Sequence, residues 1–169
     1  LERAKRELDF IDKNEISANL ISDKSYPQKL KECSDAPIVL FSKGNINLNP
    51  KRIISIVGTR KITNYGKALC QELIENLPNN TLIVSGLAYG VDIESHKISM
   101  DSGKSTIAVL AHGLDRIYPA AHSGFAKEMM NNGGLVSDFI SETTPNRENF
   151  PKRNRIVAGI SEATVVIES

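Results

Sequence analysis

Five apolar, mostly β-branched runs, alternating with segments of helical periodicity, constrain this chain more than any other feature. They are Ile53–Val57, Thr81–Val84, Thr106–Leu110, Leu135–Ser137 and Ala163–Ile167. Continuous apolar runs, rather than alternating ones, describe strands buried on both faces, as in a parallel sheet covered by helices. Between the first two runs, Leu69, Cys70, Leu73, Ile74 and Leu77 recur at helical spacing from about Asn64. A second helix is expected from about Val91 to Met100, and a third carries Phe125, Ala126, Met129 and Met130 on one face. The expected class is therefore α/β, a mostly parallel sheet with helices on both faces. Residues 51–169 form the main domain and residues 1–50 an N-terminal appendage leading into it. Within the appendage, Leu1–Lys13 reads as the tail of a helix from an earlier module, Ile16–Ile21 as extended chain and Ile38–Phe41 as a short strand.

Composition bounds the function only loosely. A hydrophobic fraction of 40% in 169 residues suits one ordinary domain with a real core. The net charge of +1 neither favours nor excludes a nucleic-acid partner, so local clustering has to decide. Cys33 and Cys70 lack metal-like spacing, and Cys70 falls on the apolar helix face as a reduced core thiol. There is no apolar run long enough to span a bilayer and no signal-peptide pattern, so no membrane partner and a cytoplasmic location are expected. The chain starts at Leu1 rather than Met and stops after an apolar strand, the pattern expected of a fragment.

Ligands of open parallel sheets sit beyond the carboxyl ends of the strands. Gly58, Gly86 and Gly113 each follow an apolar run, where the missing Cβ lets backbone amides approach a phosphate. The turn Ser85-Gly86-Leu87-Ala88 leads into a helix, so its amides and the Ser85 hydroxyl are candidates to cradle an anion. Arg60 stands just past the first strand, suited to a bidentate phosphate clamp. Phe150-Pro151-Lys152-Arg153-Asn154-Arg155 packs three cations and an Asn behind an aromatic and a proline. Proline belongs in the first turn of a helix, so a helix is expected to start near Pro151 with its cations on the positive end of the dipole. A lone charge run is usually a solvated turn; here three glycine-bearing strand ends converge on it.

Chemistry beyond binding is not written in the chain. There is no G-x-G-x-x-G and no G-x-x-x-x-G-K-[ST], so no nucleotide cofactor is expected. His96 shares a helix face with Ile93 and Met100 and reads as a satisfied core histidine; His112 and His122 lie nearer the presumed crevice without metal-like partners. Asp92 and Glu94 read as helix-capping residues. No nucleophile–base arrangement is evident, so neither a catalytic residue nor a metal is expected.

Taken together, Val57-Gly58-Thr59-Arg60, Tyr65-Gly66, Ser85-Gly86-Leu87-Ala88, Gly90-Val91-Asp92, His96, Gly113-Leu114-Asp115, Tyr118-Pro119 and Phe150 to Gly159 closely resemble the DprA/Smf family of DNA-processing proteins. The resemblance runs from about Tyr26 to Glu168. It implies a Rossmann-like domain that binds and protects single-stranded DNA during natural transformation, loads the RecA recombinase and acts as a homodimer without known catalysis. Carried over to this sequence, the DNA pocket comprises Arg60, Ser85, Gly86, Leu87, Ala88, Phe150, Lys152, Arg153, Asn154 and Arg155, with Arg147 contributing. Three departures stand out. Ser137-Asp138 replaces the usual Ser-Glu, and Ala120, Ala121 and His122 stand where a lysine or asparagine is common. Third, the chain ends at Ser169 where family members continue, often into a winged-helix module. In the family, RecA contact and dimerisation are associated with that later part of the domain, so for this stretch the resemblance leaves both open. The alternatives are a nucleotide hydrolase of the phosphoribohydrolase type, with Asp92, Asp138 or Glu168 as the acid, and a scaffold binding a protein through its apolar N-terminal segment.

Overall fold

A computed structural model describes residues 1–168. Among them, seven strands form one sheet in the order β1-β2-β6-β5-β4-β3-β7. The strands are β1 (Ser17–Leu20), β2 (Val39–Gly44), β3 (Arg52–Gly58), β4 (Thr81–Ser85), β5 (Thr106–Val109), β6 (Gly133–Ser137) and β7 (Ala163–Ile167). The last five pair in parallel, as their continuous apolar runs require. The α/β class, Rossmann-like and mostly parallel, is observed. The expected appendage supplies β1 and β2, which join the same sheet as an antiparallel pair, with Phe41 opposite Ser137 in β6.

Side-chain alternation explains why the strands are apolar throughout. Leu82 and Val84 face one layer while Ile83 faces the other; Ile107 and Val109 are likewise opposed to Ala108 and Leu110. The first layer holds Tyr26, Leu30, Ile156, Val157 and Ile160, from α2 (Gln28–Lys31), its flanks and α6 (Asn149–Gly159). The opposite layer is built by α3 (Asn64–Asn76), α4 (Val91–Asp101) and α5 (Ser123–Met129). Cys70 is fully buried there, and burial pushes its thiol up to about 11, as expected of an inert core cysteine. The N-terminal helix α1 (Glu2–Lys13) packs on this domain. Glu7 accepts hydrogen bonds from the Ser141 amide and hydroxyl, while Phe10 and Ile11 lean on the core.

The order reverses across the sheet between β6 and β7. The chain steps outward from β3 to β6, then returns through α6 to place β7 on the free side of β3. This is the topological switch that opens a crevice at the carboxyl ends of parallel strands. The N-terminal half of α6 lies over it; because the helix starts earlier than expected, only Lys152 falls in its first turn, and Arg153 and Arg155 follow in the second. Helix α6 begins at Asn149, two residues before the expected start, so that Pro151 still lies in its first turn.

Candidate functional site

Two adjoining clefts occupy the switch. The first, about 300 Å³, is lined by Gly58, Gly86, Asp92, Arg153, Asn154 and Thr164 among others. The second, about 560 Å³, is lined by Tyr89, His112, Tyr118, Arg147 and Pro151 among others. Arg60, Ala88, Phe150, Arg153 and Asn154 border both.

Arg153 anchors the floor. Only 6% of it is exposed, and its guanidinium donates to the Val109 carbonyl at the end of β5 and, through Nε, to Asn154 Oδ1 at 3.1 Å. One peptide carbonyl thus ties the basic turn of α6 to the sheet edge. Burial pulls the Arg153 pKa down, opposed by the nearby Asp92 carboxylate. Asp92 is buried in turn, and desolvation pushes its carboxyl above the usual range; Arg153, the Ala88 amide and Arg60 hold it back. Asp92 does not cap α4, whose N-cap is Gly90 without a side-chain cap; its Oδ2 instead accepts the Ala88 N–H at 3.1 Å and so shapes the turn after β4.

Gly86 separates the two charges. A Cβ at this position would lie 2.3 Å from Asp92 Oδ2 and 2.5 and 2.6 Å from the two terminal nitrogens of Arg153. Gly86→Ala is therefore expected to lose about 1–3 kcal/mol, the usual range for overpacking, measurable as a lower urea midpoint. The glycine carbonyl is fixed from below. His96, fully buried, donates from Nε2 to Gly86 O at 2.6 Å, since a carbonyl can only accept, and its Nδ1 then accepts from the Thr106 hydroxyl at 2.7 Å. The expected core histidine is thus a satisfied one, and burial pushes its pKa down to about 4.

The anion cradle expected from the 85–88 turn takes a different form. Ser85 is fully buried and its hydroxyl donates to the Ile56 carbonyl at 2.6 Å. At the start of α4, the Val91 amide donates to Thr59 O and the Ile93 amide to Ala88 O. Gly113 gives its amide to Thr143 O and lines neither cleft. The Ser85 hydroxyl and the Ala88 and Gly113 amides are thus engaged within the fold, so the expected phosphate contact at Gly113 is not formed by its amide. Positive charge in the crevice comes from side chains instead: Arg60 and Arg153 in both clefts, and Arg147 in the second.

Other expected residues separate by position. Gly58, Gly86 and Ala88 line the first cleft, and Leu87 the second. Arg155 points elsewhere: it donates to Asp138 Oδ2 at 2.6 Å and, through Nε, to the Lys152 carbonyl at 3.1 Å. Lys152 is exposed beside the crevice without lining it. The Ser137-Asp138 departure therefore has a structural partner in Arg155.

Aromatic residues complete the crevice. The Arg60 guanidinium lies 5.8 Å above the Phe150 ring centroid, and Tyr118 meets Phe150 edge-on at 6.2 Å. Tyr89 packs edge-on against His122 at 4.8 Å, and His122 Nδ1 donates to Leu87 O at 2.8 Å. The sequence pointed to Phe150 alone; Tyr89 also reaches the site from the turn after β4, and Tyr118 from the loop between β5 and α5. His112 donates from Nδ1 to Gly113 O, leaving its buried Nε2 without a partner. Among the described residues, no cluster of His, Cys, Asp or Glu is arranged to hold a metal, and no helix is long and apolar enough to cross a membrane.

A family model described as DNA recombination-mediator protein A matches residues 17–169. The chain belongs to that family. Among curated DprA relatives, the Bacillus subtilis DNA processing protein is 43% identical over 150 residues, covering 88% of this chain and 50% of its own. The Streptococcus pneumoniae DNA processing protein is 37% identical over 149 residues, 88% of this chain and 53% of its own. The chain thus spans about half the length of these curated DprA relatives. The X-ray structure of DprA from Streptococcus pneumoniae superposes with a TM-score of 0.86 at 34% identity, over 94% of this chain and 57% of that one. A Helicobacter pylori DprA structure, described in terms of its single-stranded DNA binding mode, matches with a TM-score of 0.79 at 29% identity, over 89% and 68%. The DprA fold therefore extends across the sheet, the switch and both clefts.

Proposed function

We propose that the crevice beyond β3, β4 and β5 binds single-stranded DNA. The observation that carries this reading is the joining, along one wall, of Arg60 and Arg153 with the half-buried ring of Phe150. Cations neutralise phosphates, while an aromatic face takes any base, so affinity is sequence-tolerant and salt-dependent. Kinship with the Helicobacter pylori protein and its single-stranded DNA supports the same ligand. Arg147, Lys152 and Asn154 extend the positive and polar rim; Arg155 contributes by holding Asp138 rather than through the clefts. In the whole protein this binding serves to protect incoming strands and load RecA in natural transformation, with the protein acting as a cytoplasmic homodimer.

The test is fluorescence anisotropy of labelled oligothymidine across a salt series, with a duplex control. Single-strand affinity is expected to exceed duplex affinity and to fall steeply with salt. Arg60→Ala is expected to weaken binding to all sequences and to lower the salt slope by about 0.7–1, one phosphate contact. A mononucleotide that saturates the site as well as the oligomer does would instead favour the nucleotide-hydrolase alternative.

A further inference from the structure

The second cleft differs from the first in its chemistry. Asp92 places a carboxylate in the first cleft, whereas the residues lining the second include three arginines, Arg60, Arg147 and Arg153, and no carboxylate. The second cleft also carries two large rings that the fold leaves open, Tyr89 at 52% and Tyr118 at 50% exposed. Neither ring is loose. Tyr89 is braced edge-on by His122, which is itself bonded to the Leu87 carbonyl, and Tyr118 is braced edge-on by Phe150. About half of each tyrosine stays exposed, and a ring already held by packing loses little conformational freedom when a flat ligand stacks on it.

We infer that Tyr89 and Tyr118 are base-stacking subsites for single-stranded nucleic acid. The second cleft takes unpaired bases, while the phosphates run along Arg60 and Arg153. This rests on the single-stranded DNA reading above and deepens it by dividing the crevice into a phosphate side and a base side. Charge selects the occupant: a cleft lined by three arginines and exposed aromatic rings suits an anionic chain with flat apolar groups. It also gives a physical cause for preferring single strands, because in a duplex the bases are already stacked and paired within the helix. Recognition through ring faces is expected to tolerate any base and to depend on a base being present.

The experiment compares labelled oligothymidine with an abasic strand of equal length and charge, using the full-length protein. The variants are Tyr89→Ala, Tyr118→Ala, Tyr118→Phe and, as a control outside both clefts, Tyr65→Ala. Wild type is expected to bind the base-bearing strand more tightly. Each cleft alanine should weaken that binding about 5- to 150-fold, the span of one lost base stack, while leaving abasic binding and the salt slope unchanged. Tyr118→Phe, which keeps the ring, and Tyr65→Ala should behave as wild type. Equal wild-type binding of both strands, or alanine variants that weaken both equally, would overturn this inference and leave the DNA reading standing. Wild type that binds neither strand would overturn both. Circular dichroism melting of each variant separates lost stacking from lost fold; where an alanine variant melts, Tyr89→Leu or Tyr118→Leu replaces it, and wild-type binding of the base-bearing strand by that folded, ringless variant would overturn the inference.

Discussion

Arg153→Ala is expected to be the most damaging single change at the crevice, costing about 1–3 kcal/mol of stability by leaving the buried Val109 carbonyl without its donor, together with most single-strand affinity. Three consequences follow from one side chain. The Val109 carbonyl loses its donor, Asp92 loses the cation that most opposes its desolvation, and α6 loses its tie to β5. The pH dependence carries a signature. The folded-state pKa of Asp92 is already raised, so the folded protein binds the extra proton and this group's contribution declines as pH rises from the unfolded value toward the folded one. Without Arg153 the folded value moves higher still, and the decline extends to higher pH. Urea denaturation of wild type, Arg153→Ala, Asp92→Asn and the double variant would measure this. The double variant should recover part of the loss, because Asn keeps an acceptor for the Ala88 amide without the charge. Strict additivity would show that the two residues do not interact.

His96 is expected to make the fold acid-sensitive. Its folded pKa lies near 4 against 6.5 for the free side chain, with burial as the main cause. Between those values the unfolded chain takes up a proton that the folded one refuses, so stability is fully present above about pH 6.5 and is lost as pH falls toward 4. A shift of this size corresponds to roughly 3 kcal/mol across the window. Burial also pushes the pKa of His112 down, which adds to the loss in the same direction, whereas Asp92 acts in the opposite sense. Urea midpoints for wild type and His96→Gln between pH 4 and 8 isolate the contribution of His96. The variant should be less stable at neutral pH, since Gly86 O and Thr106 lose a shaped partner, yet show a flatter acid limb. An acid limb as steep as wild type would assign the sensitivity elsewhere. Because His96 supports the Gly86 carbonyl at the floor of the crevice, single-strand binding should weaken alongside.

Why the sheet was legible and parts of the site were not comes down to the range of the interactions. The runs at Ile53, Thr81, Thr106, Leu135 and Ala163 announce buried parallel strands because both faces must be apolar, a property each run carries within itself. The basic turn at 150–155 announced a cationic crevice through local composition and the position of Pro151. Its individual cations were not legible. Arg153 is drawn inward by a carbonyl 44 residues away, while Arg155, two positions on, leans away to Asp138. The backbone cradle expected at 85–88 and at Gly113 depended on which donors the folded chain leaves free: the Ser85 hydroxyl goes to the Ile56 carbonyl, the Ala88 amide to the Asp92 carboxylate and the Gly113 amide to the Thr143 carbonyl.

Sequence by itself determined the α/β class, the five parallel strands, the covering helices and the place of the crevice, because hydrophobic periodicity and proline position act over a few residues. Only the tertiary structure decided that residues 17–44 extend the same sheet, that α6 swings its basic turn over the switch between β3 and β7, and that Gly86 stands between Asp92 and Arg153. It also decided that Tyr89 and Tyr118 share one cleft with Phe150. Those outcomes depend on strand order and on which distant carbonyl, carboxylate or ring a side chain meets, and a linear pattern does not encode such meetings.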